Sequence, residues 1–525
     1  MRGSRDTEGQ RGRRLRCPAL LLLLAAFCAG CDKGLLKEKV LQSRGVDYRT
    51  LSIPASDEDA GGAAAVPARI PLAAVSADCE LLCYLLQTAY AAYDSAAAAG
   101  FDDAAAMQQI EASCALHSRN GTVSTAFFSS LIVQALSPFI LDGHFAVYAG
   151  DYSVRLSPRS VVYYAPVFVR DGFVFRSEAE SVAEGERYTG SSALLLPYPA
   201  AGEGVCRAGI LSSGPLDSVT LEVEGQARAV PVRCDEDAAA AAASVSVRTA
   251  ETADSAYIFC SSFQLPPAAD SGRRAAEEQL AAYVAAADAC RGKKNIVMDI
   301  RGNSGGNNIY PMQFFYRLYL GHAGHGRPEQ ELARLAYYDQ NLLGAGNFSV
   351  DSPATAQAWL SFARSGGNAS DIAFREKRLL AQQQEPALRK LSVDVSPLES
   401  FALPELEGFC GTIYMLVDRY TASAAENAVV FAQHLFGGQR KVFLVGENSA
   451  GCMMSGDVLR YRLPASGITL AIPSKDFSAF ARAAGNFRGE GEGFFPDFWA
   501  TRQDMPAALA ALTGDGALAA LVEPP

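Results

Sequence analysis

The chain has 525 residues, a formal net charge of −11 and 49% hydrophobic residues. That length accommodates two or three domains with a sizeable core. The acidic balance, with no basic stripe interleaved with aromatics, argues against a nucleic-acid partner, and the mature chain has no CxxC and no His pair at i, i+4, so no metal or other cofactor is implied.

The N-terminus reads as a targeting segment. Arg11, Arg13, Arg14 and Arg16 form a basic region, and Leu20 to Phe27 a short apolar one. Cys28-Ala-Gly-Cys31 then places small residues before a cysteine, the pattern of a lipobox cleaved ahead of Cys31 and lipidated there. Cys28 stands where leucine is usual, and an ordinary cleaved signal is the alternative. The apolar run is shorter than the roughly 20 residues that a spanning helix needs. The expected location is therefore the non-cytoplasmic side of a bacterial cell envelope, anchored by lipid, or secreted if the lipobox is unused.

Residues 32–70 lack apolar periodicity and read as a flexible tether. Residues 71–142 read as helical: Leu81, Leu82, Tyr84, Leu85, Leu86 and Tyr90 make an apolar face. The Ala runs 96–99 and 104–106 favour helix, with Gly100 a break between them. Residues 143–237 turn to strand character, with Val161–Val169 and Val219–Val223 rich in β-formers, and are expected to form a small β-rich domain. Cys206 and Cys234 flank this stretch and can pair, although spacing alone assigns no connectivity.

A low-complexity run, Ala238 to Ala243, reads as a linker before a larger unit, residues 250–525. Ala275 to Cys290 is an expected helix, followed by an apolar strand that runs into Asp299-Ile-Arg-Gly-Asn-Ser-Gly-Gly306. A second apolar strand, Ile413 to Val417, runs into Thr421-Ala-Ser-Ala-Ala-Glu426. Between them, residues 321–408 look helical and polar, with segments at Pro328–Leu342, Ala354–Arg364 and Asp371–Leu391, and are read as a helical insertion. A Gly-Gly turn exposes backbone N–H groups, and a small hydroxyl residue at a helix start offers a nucleophile; acyl transfer needs both. On local sequence alone, Thr421 or Ser423 with Glu426 is also a helix-capping box.

Two further strings follow: Gly446-Glu-Asn-Ser-Ala-Gly451 and Gly493-Phe-Phe-Pro-Asp497. Four motifs in this order, over about residues 250–512, resemble the tail-specific or C-terminal processing serine proteases and their tricorn-like relatives. The resemblance implies an α/β fold with a ClpP/crotonase-like core and hydrolysis of peptide bonds in proteins or peptides. It implies Ser423 as nucleophile and an oxyanion hole from an N–H of Gly305 or Gly306 together with that of Ala424. Processing-type members take their base from a lysine shortly after the Gly-Glu motif, a position held here by Cys452; the two lysines after Ser423, Lys441 and Lys475, do not fit the spacing. Tricorn-like members use an upstream histidine, and Leu141-Asp-Gly-His144-Phe145 is similar to that segment. His144 is therefore the expected base, suited by an unperturbed pKa near 6.5. By the same resemblance Glu490, with Glu492 as its neighbour, orients the apparatus. The alternative function is a non-catalytic binding or scaffold lipoprotein on a degenerate protease fold.

Overall fold

A computed structural model describes residues 66–235, 244–267, 270–319, 344–366, 369–392, 409–435 and 441–522. The targeting segment with Cys31, nearly all of the tether, the run Ala238 to Ala243 and the segment Pro328–Leu342 lie outside the described residues.

The C-terminal part, from residue 247 onward, is built on a six-stranded sheet. Its strand order is Val247–Glu251, Ser255–Cys260, Asn295–Asp299, Thr412–Val417, Val442–Gly446 and Phe498–Trp499. Only the first pair is antiparallel; the remaining neighbours are parallel. Parallel strands covered on both faces read as continuous apolar runs, and Ser255–Cys260 is buried at every position. One face packs on the helices Arg273–Ala285, Ile309–Tyr319 and Ala424–Leu435 through Leu280, Phe314 and Val429. The other is closed by Met505–Thr513 and Gly516–Ala519 through Leu509 and Leu518. The two motif strands are direct neighbours, with Asp299 opposite Leu416. Their C-terminal ends therefore open at the same edge, where ligand crevices of open α/β sheets form.

A second sheet runs in the order Arg389–Ser392, Phe348–Asp351, Thr469–Asp476, Ala146–Ala149 and Tyr152–Arg155, and Ser455–Arg462 also pairs with Thr469–Asp476. The N-terminal helices cover it: Leu82, Leu86 and Phe128 pack against Tyr461, Leu470 and Ile472. Leu72–Ala89 is apolar and long enough to span a membrane by length and composition, but it is mostly buried in this core. Gly100, at φ +101°, separates the helices Tyr93–Ala98 and Asp103–Leu116; that conformation suits a residue without Cβ.

Three expectations are revised. The strands at 146–155 do not join the small β unit, because Ala146 to Tyr148 pair with Thr469 to Ala471. What remains of that unit is a four-stranded sheet, centred on Val161–Arg170 and Cys206–Ser212, and a three-stranded one, centred on Ser218–Val223, with its own apolar cluster. The insertion is not purely helical: Pro353–Gly366 and Ala369–Gln384 are helices, but Arg389–Ser392 is a strand paired with Phe348–Asp351. Pro386 explains the switch, since proline does not continue a helix interior. Cys206 and Cys234 are both free thiols.

Candidate active site

Ser423 directly precedes the helix Ala424–Leu435 and stands at φ +56°. That left-handed conformation costs a non-glycine residue about 1–3 kcal/mol and persists only where its surroundings impose it. Here they do. The Ser423 N–H donates to Glu426 Oε2 at 3.1 Å, the Asn427 N–H donates to the Ser423 carbonyl, and Gly305 packs directly against it. The Glu426 half of a capping box is thus present. The serine hydroxyl, however, is turned to another partner: His144 Nε2 lies 3.1 Å from Ser423 Oγ.

His144 reaches the serine from 279 positions upstream because the strand that follows it, Ala146–Ala149, is paired into the second sheet. Its turn is held from two sides. Asp142 Oδ1 accepts the His144 N–H at 2.9 Å, and the Ser455 hydroxyl reaches both oxygens of the same carboxylate at 2.7 Å. Glu490 accepts the Gly143 N–H at 3.0 Å on one oxygen, and the N–H groups of Met453 and Met454 on the other at 3.1 and 2.6 Å. Glu490 therefore ties the His144 turn to the loop after Cys452, and no direct bond from it to the imidazole is seen. Burial, reinforced by the nearby Asp142, pushes its carboxyl up to about 8. Burial also lowers the pKa of His144 below the usual histidine value, against the opposing pull of Asp142.

Glu426 is fully buried and makes four hydrogen bonds. Besides Ser423, it accepts from the Ser449 hydroxyl at 2.6 Å and from the N–H groups of Gly451 and Cys452 at 2.9 and 2.8 Å. It thereby joins two motifs, the Ser-x-x-Glu helix start and the Gly-Glu-x-x-x-Gly loop. The loop places Cys452 Sγ 3.3 Å from His144 Nδ1. Sequence reasoning gave Glu426 no role beyond its motif and helix cap, and did not place Cys452 beside the imidazole. The capping-box spacing is a local signal for the first; the second has none, since the contact joins residues 308 apart.

The Gly-Gly turn is braced by the polar residues of its own motif. Arg301 grips Asp299 through two hydrogen bonds, at 2.8 and 2.6 Å, and the Tyr257 hydroxyl caps the same carboxylate. Asp418 accepts from the N–H groups of Gly302, Tyr420 and Thr421, which ties the two motif turns together. Asn303 Oδ1 accepts the Gly305 N–H at 2.9 Å, so that donor is already engaged. A Cβ on Gly305 would lie 2.7–2.8 Å from Ala422 O, Ala424 N and Ser423 Cβ, so this residue supplies space rather than a donor. Gly306, at φ +129°, runs beside Phe263, where a Cβ would meet backbone at 2.3 Å. Among the described residues, the N–H groups of Gly306 and Ala424 donate to no protein acceptor. Both lie beside Ser423 at this edge.

The lysines lie elsewhere. Lys441 Nζ donates to the Cys410 carbonyl, and Lys475 sits near Asp457 and over the Phe477 ring. The Cys452 thiol is pushed well above its ordinary value by burial and by Glu490 and Glu426, so it stays protonated and is a poor nucleophile. The arrangement provides a hydroxyl, a base lone pair and two backbone donors at one sheet edge, which is the equipment of acyl transfer.

No protein-family model and no curated protein matches the chain. Among solved structures, mature CPAF is similar over 85% of this chain and 98% of its own, at 13% identity and a TM-score of 0.39. The photosystem II D1 C-terminal processing protease is similar over 84% of this chain and 98% of its own, at 12% identity and a TM-score of 0.32. A putative S41 protease from Bacteroides fragilis is similar over 73% of this chain and 87% of its own, at 12% identity and a TM-score of 0.28. The second is a protease by name and the third a putative one; the chemistry argued for this chain rests on its own residues.

Proposed function

We propose that the chain is a serine-type peptidase of the tail-specific kind, on a ClpP/crotonase-like core, whose base is a histidine as in the tricorn-like branch. Ser423 Oγ attacks the scissile carbonyl while His144 Nε2 takes its proton. The developing oxyanion is held by the N–H groups of Gly306 and Ala424, where the helix N-terminus adds positive potential. The tetrahedral intermediate collapses, the C–N bond breaks, and the departing amine takes the proton from His144. Water, activated by the same nitrogen, then hydrolyses the acyl-enzyme and restores Ser423. Glu490 orients the His144 turn through the Gly143 N–H and does not touch the reacting atoms. Protein or peptide substrates of the cell envelope follow from the same reading, with the chain tethered through lipid on Cys31.

The observation that carries this is the 3.1 Å approach of His144 Nε2 to the hydroxyl of a strained serine at a helix start. A fluorophosphonate probe should label the wild-type chain, and Ser423→Ala should abolish labelling with the circular dichroism spectrum unchanged. A folded wild-type chain that is never labelled, and hydrolyses no peptide library, would overturn the assignment in favour of a binding lipoprotein.

A further inference from the structure

Catalysis through an imidazole makes a demand on both of its nitrogens. When Nε2 takes the serine proton, Nδ1 must carry a proton of its own, and that N–H needs an acceptor. In Ser–His–Asp systems a carboxylate fills this place, holding the productive tautomer and stabilising the imidazolium. The two carboxylates that hold the His144 turn do something else. Asp142 is engaged by the His144 backbone N–H and the Ser455 hydroxyl, and Glu490 by three backbone N–H groups. The group that faces Nδ1 is Cys452 Sγ, at 3.3 Å.

The thiol is built into this position. The Cys452 N–H is fixed to Glu426 Oε2 at 2.8 Å, the residue is buried, and the backbone of Gly143 closes over the sulfur: a Cβ there would lie 2.8 Å from Sγ. Glycine at 143 is thus the residue that lets the sulfur reach the ring. Glu426 fixes the serine N–H and the cysteine N–H with the same oxygen, so one buried carboxylate sets the nucleophile and the Nδ1 partner together.

We propose that Cys452 is a positioning residue for the proposed hydrolysis, its neutral sulfur accepting the Nδ1 proton of His144 in the place where a carboxylate stands in a Ser–His–Asp triad. This rests on the proposed roles of Ser423 and His144 and goes beyond them. No bond to sulfur forms: the thiol keeps its proton and receives only a hydrogen bond. A soft, uncharged acceptor orients the ring and specifies the tautomer. It adds none of the charge that would raise the imidazole's basicity, which fits the lowered pKa of His144. Other charges that face the ring are Asp142 on its own turn, Arg155 and Arg159 from the segment that follows, and Asp457 from the strand Ser455–Arg462. Glu490 faces the sulfur from the opposite loop.

The first readout, the tautomer and pKa of His144, needs no turnover. The chain has only five histidines, so the His144 imidazole can be assigned by nitrogen-15 NMR against a His144→Ala spectrum. In the wild type the neutral ring should carry its proton on Nδ1. Cys452→Asp should raise the His144 pKa by a unit or more and move the acid limb of kcat/KM upward with it. Cys452→Ala should lose the Nδ1-protonated preference and lower kcat by about 10-fold or more, with KM little changed. Cys452→Ser, which keeps an acceptor, should recover most of both. A structural role alone would leave tautomer and pKa in place. The proposal is overturned if tautomer and pKa are the same in the wild type, the Ala variant and the Asp variant while all three remain folded. Failure of probe labelling in a wild type that still shows these NMR shifts would instead strike the hydrolase reading.

Discussion

Glu426 is the residue whose removal tests the site most directly. Truncation to alanine leaves the buried N–H groups of Gly451 and Cys452, the part-buried N–H of Ser423 and the Ser449 hydroxyl without this acceptor. At a net value near 1 kcal/mol per hydrogen bond, the four together contribute about 4 kcal/mol, a large share of the roughly 5–15 kcal/mol that holds a typical domain. Relief of burying the carboxylate offsets part of this, so a loss of about 2–4 kcal/mol is expected. Glutamine is nearly isosteric, yet its amide nitrogen must face either the Ser423 and Cys452 N–H groups or the Gly451 N–H, so Glu426→Gln should also destabilise. The position of Ser423 at φ +56° depends on the same carboxylate, so activity should fall further than stability. Urea unfolding gives the stability change, and peptidase assays under conditions where each variant stays folded give the activity change. A Glu426→Ala protein within about 1 kcal/mol of wild type and fully active would refute the argument that this carboxylate assembles the site.

Three further outcomes are expected. With neutral His144 as the proposed base and its pKa lowered from 6.5 by burial, kcat/KM should rise with pH through a midpoint below 6.5; a midpoint well above it, abolished by a lysine substitution instead, would contradict the assignment. Gly305→Ala places a Cβ 2.8 Å from both Ala424 N and Ser423 Cβ at a φ of +101°, so labelling by the fluorophosphonate should drop at least about 10-fold, and labelling at the wild-type rate would show that the turn yields freely. Cys31→Ser should release the protein from detergent partitioning, and unchanged partitioning would remove the lipid anchor from the account.

Local order made several features legible without coordinates. Apolar runs that end in turn residues marked Asn295–Asp299 and Thr412–Val417 as strands, because parallel strands covered on both faces need nothing but apolar side chains. Asp299, Arg301 and Asn303 brace the turn because polar residues spaced closely around a Gly-rich turn have that turn's own backbone within reach. The split at Gly100 was legible from the residue's freedom at positive φ. The end of the helix Ala369–Gln384 was missed because helix-forming residues on both sides outweighed Pro386, whose break leads into a strand that only a partner strand stabilises.

The sequence by itself determined the candidate chemistry: a serine at a helix start, a Gly-Gly turn on the neighbouring strand and a histidine in the Asp-Gly-His segment. Those are local patterns, and each residue type carries its reactivity with it. Tertiary structure alone decided which groups meet. Pairing of Ala146–Ala149 with Thr469–Asp476 carries His144 to Ser423, and Asn303 takes the Gly305 N–H and leaves that of Gly306. Glu426 gathers four donors, and Cys452 Sγ, rather than a carboxylate, faces Nδ1. These contacts join residues far apart in the chain, and a hydrogen bond is set by separations of a few tenths of an ångström that no residue spacing encodes.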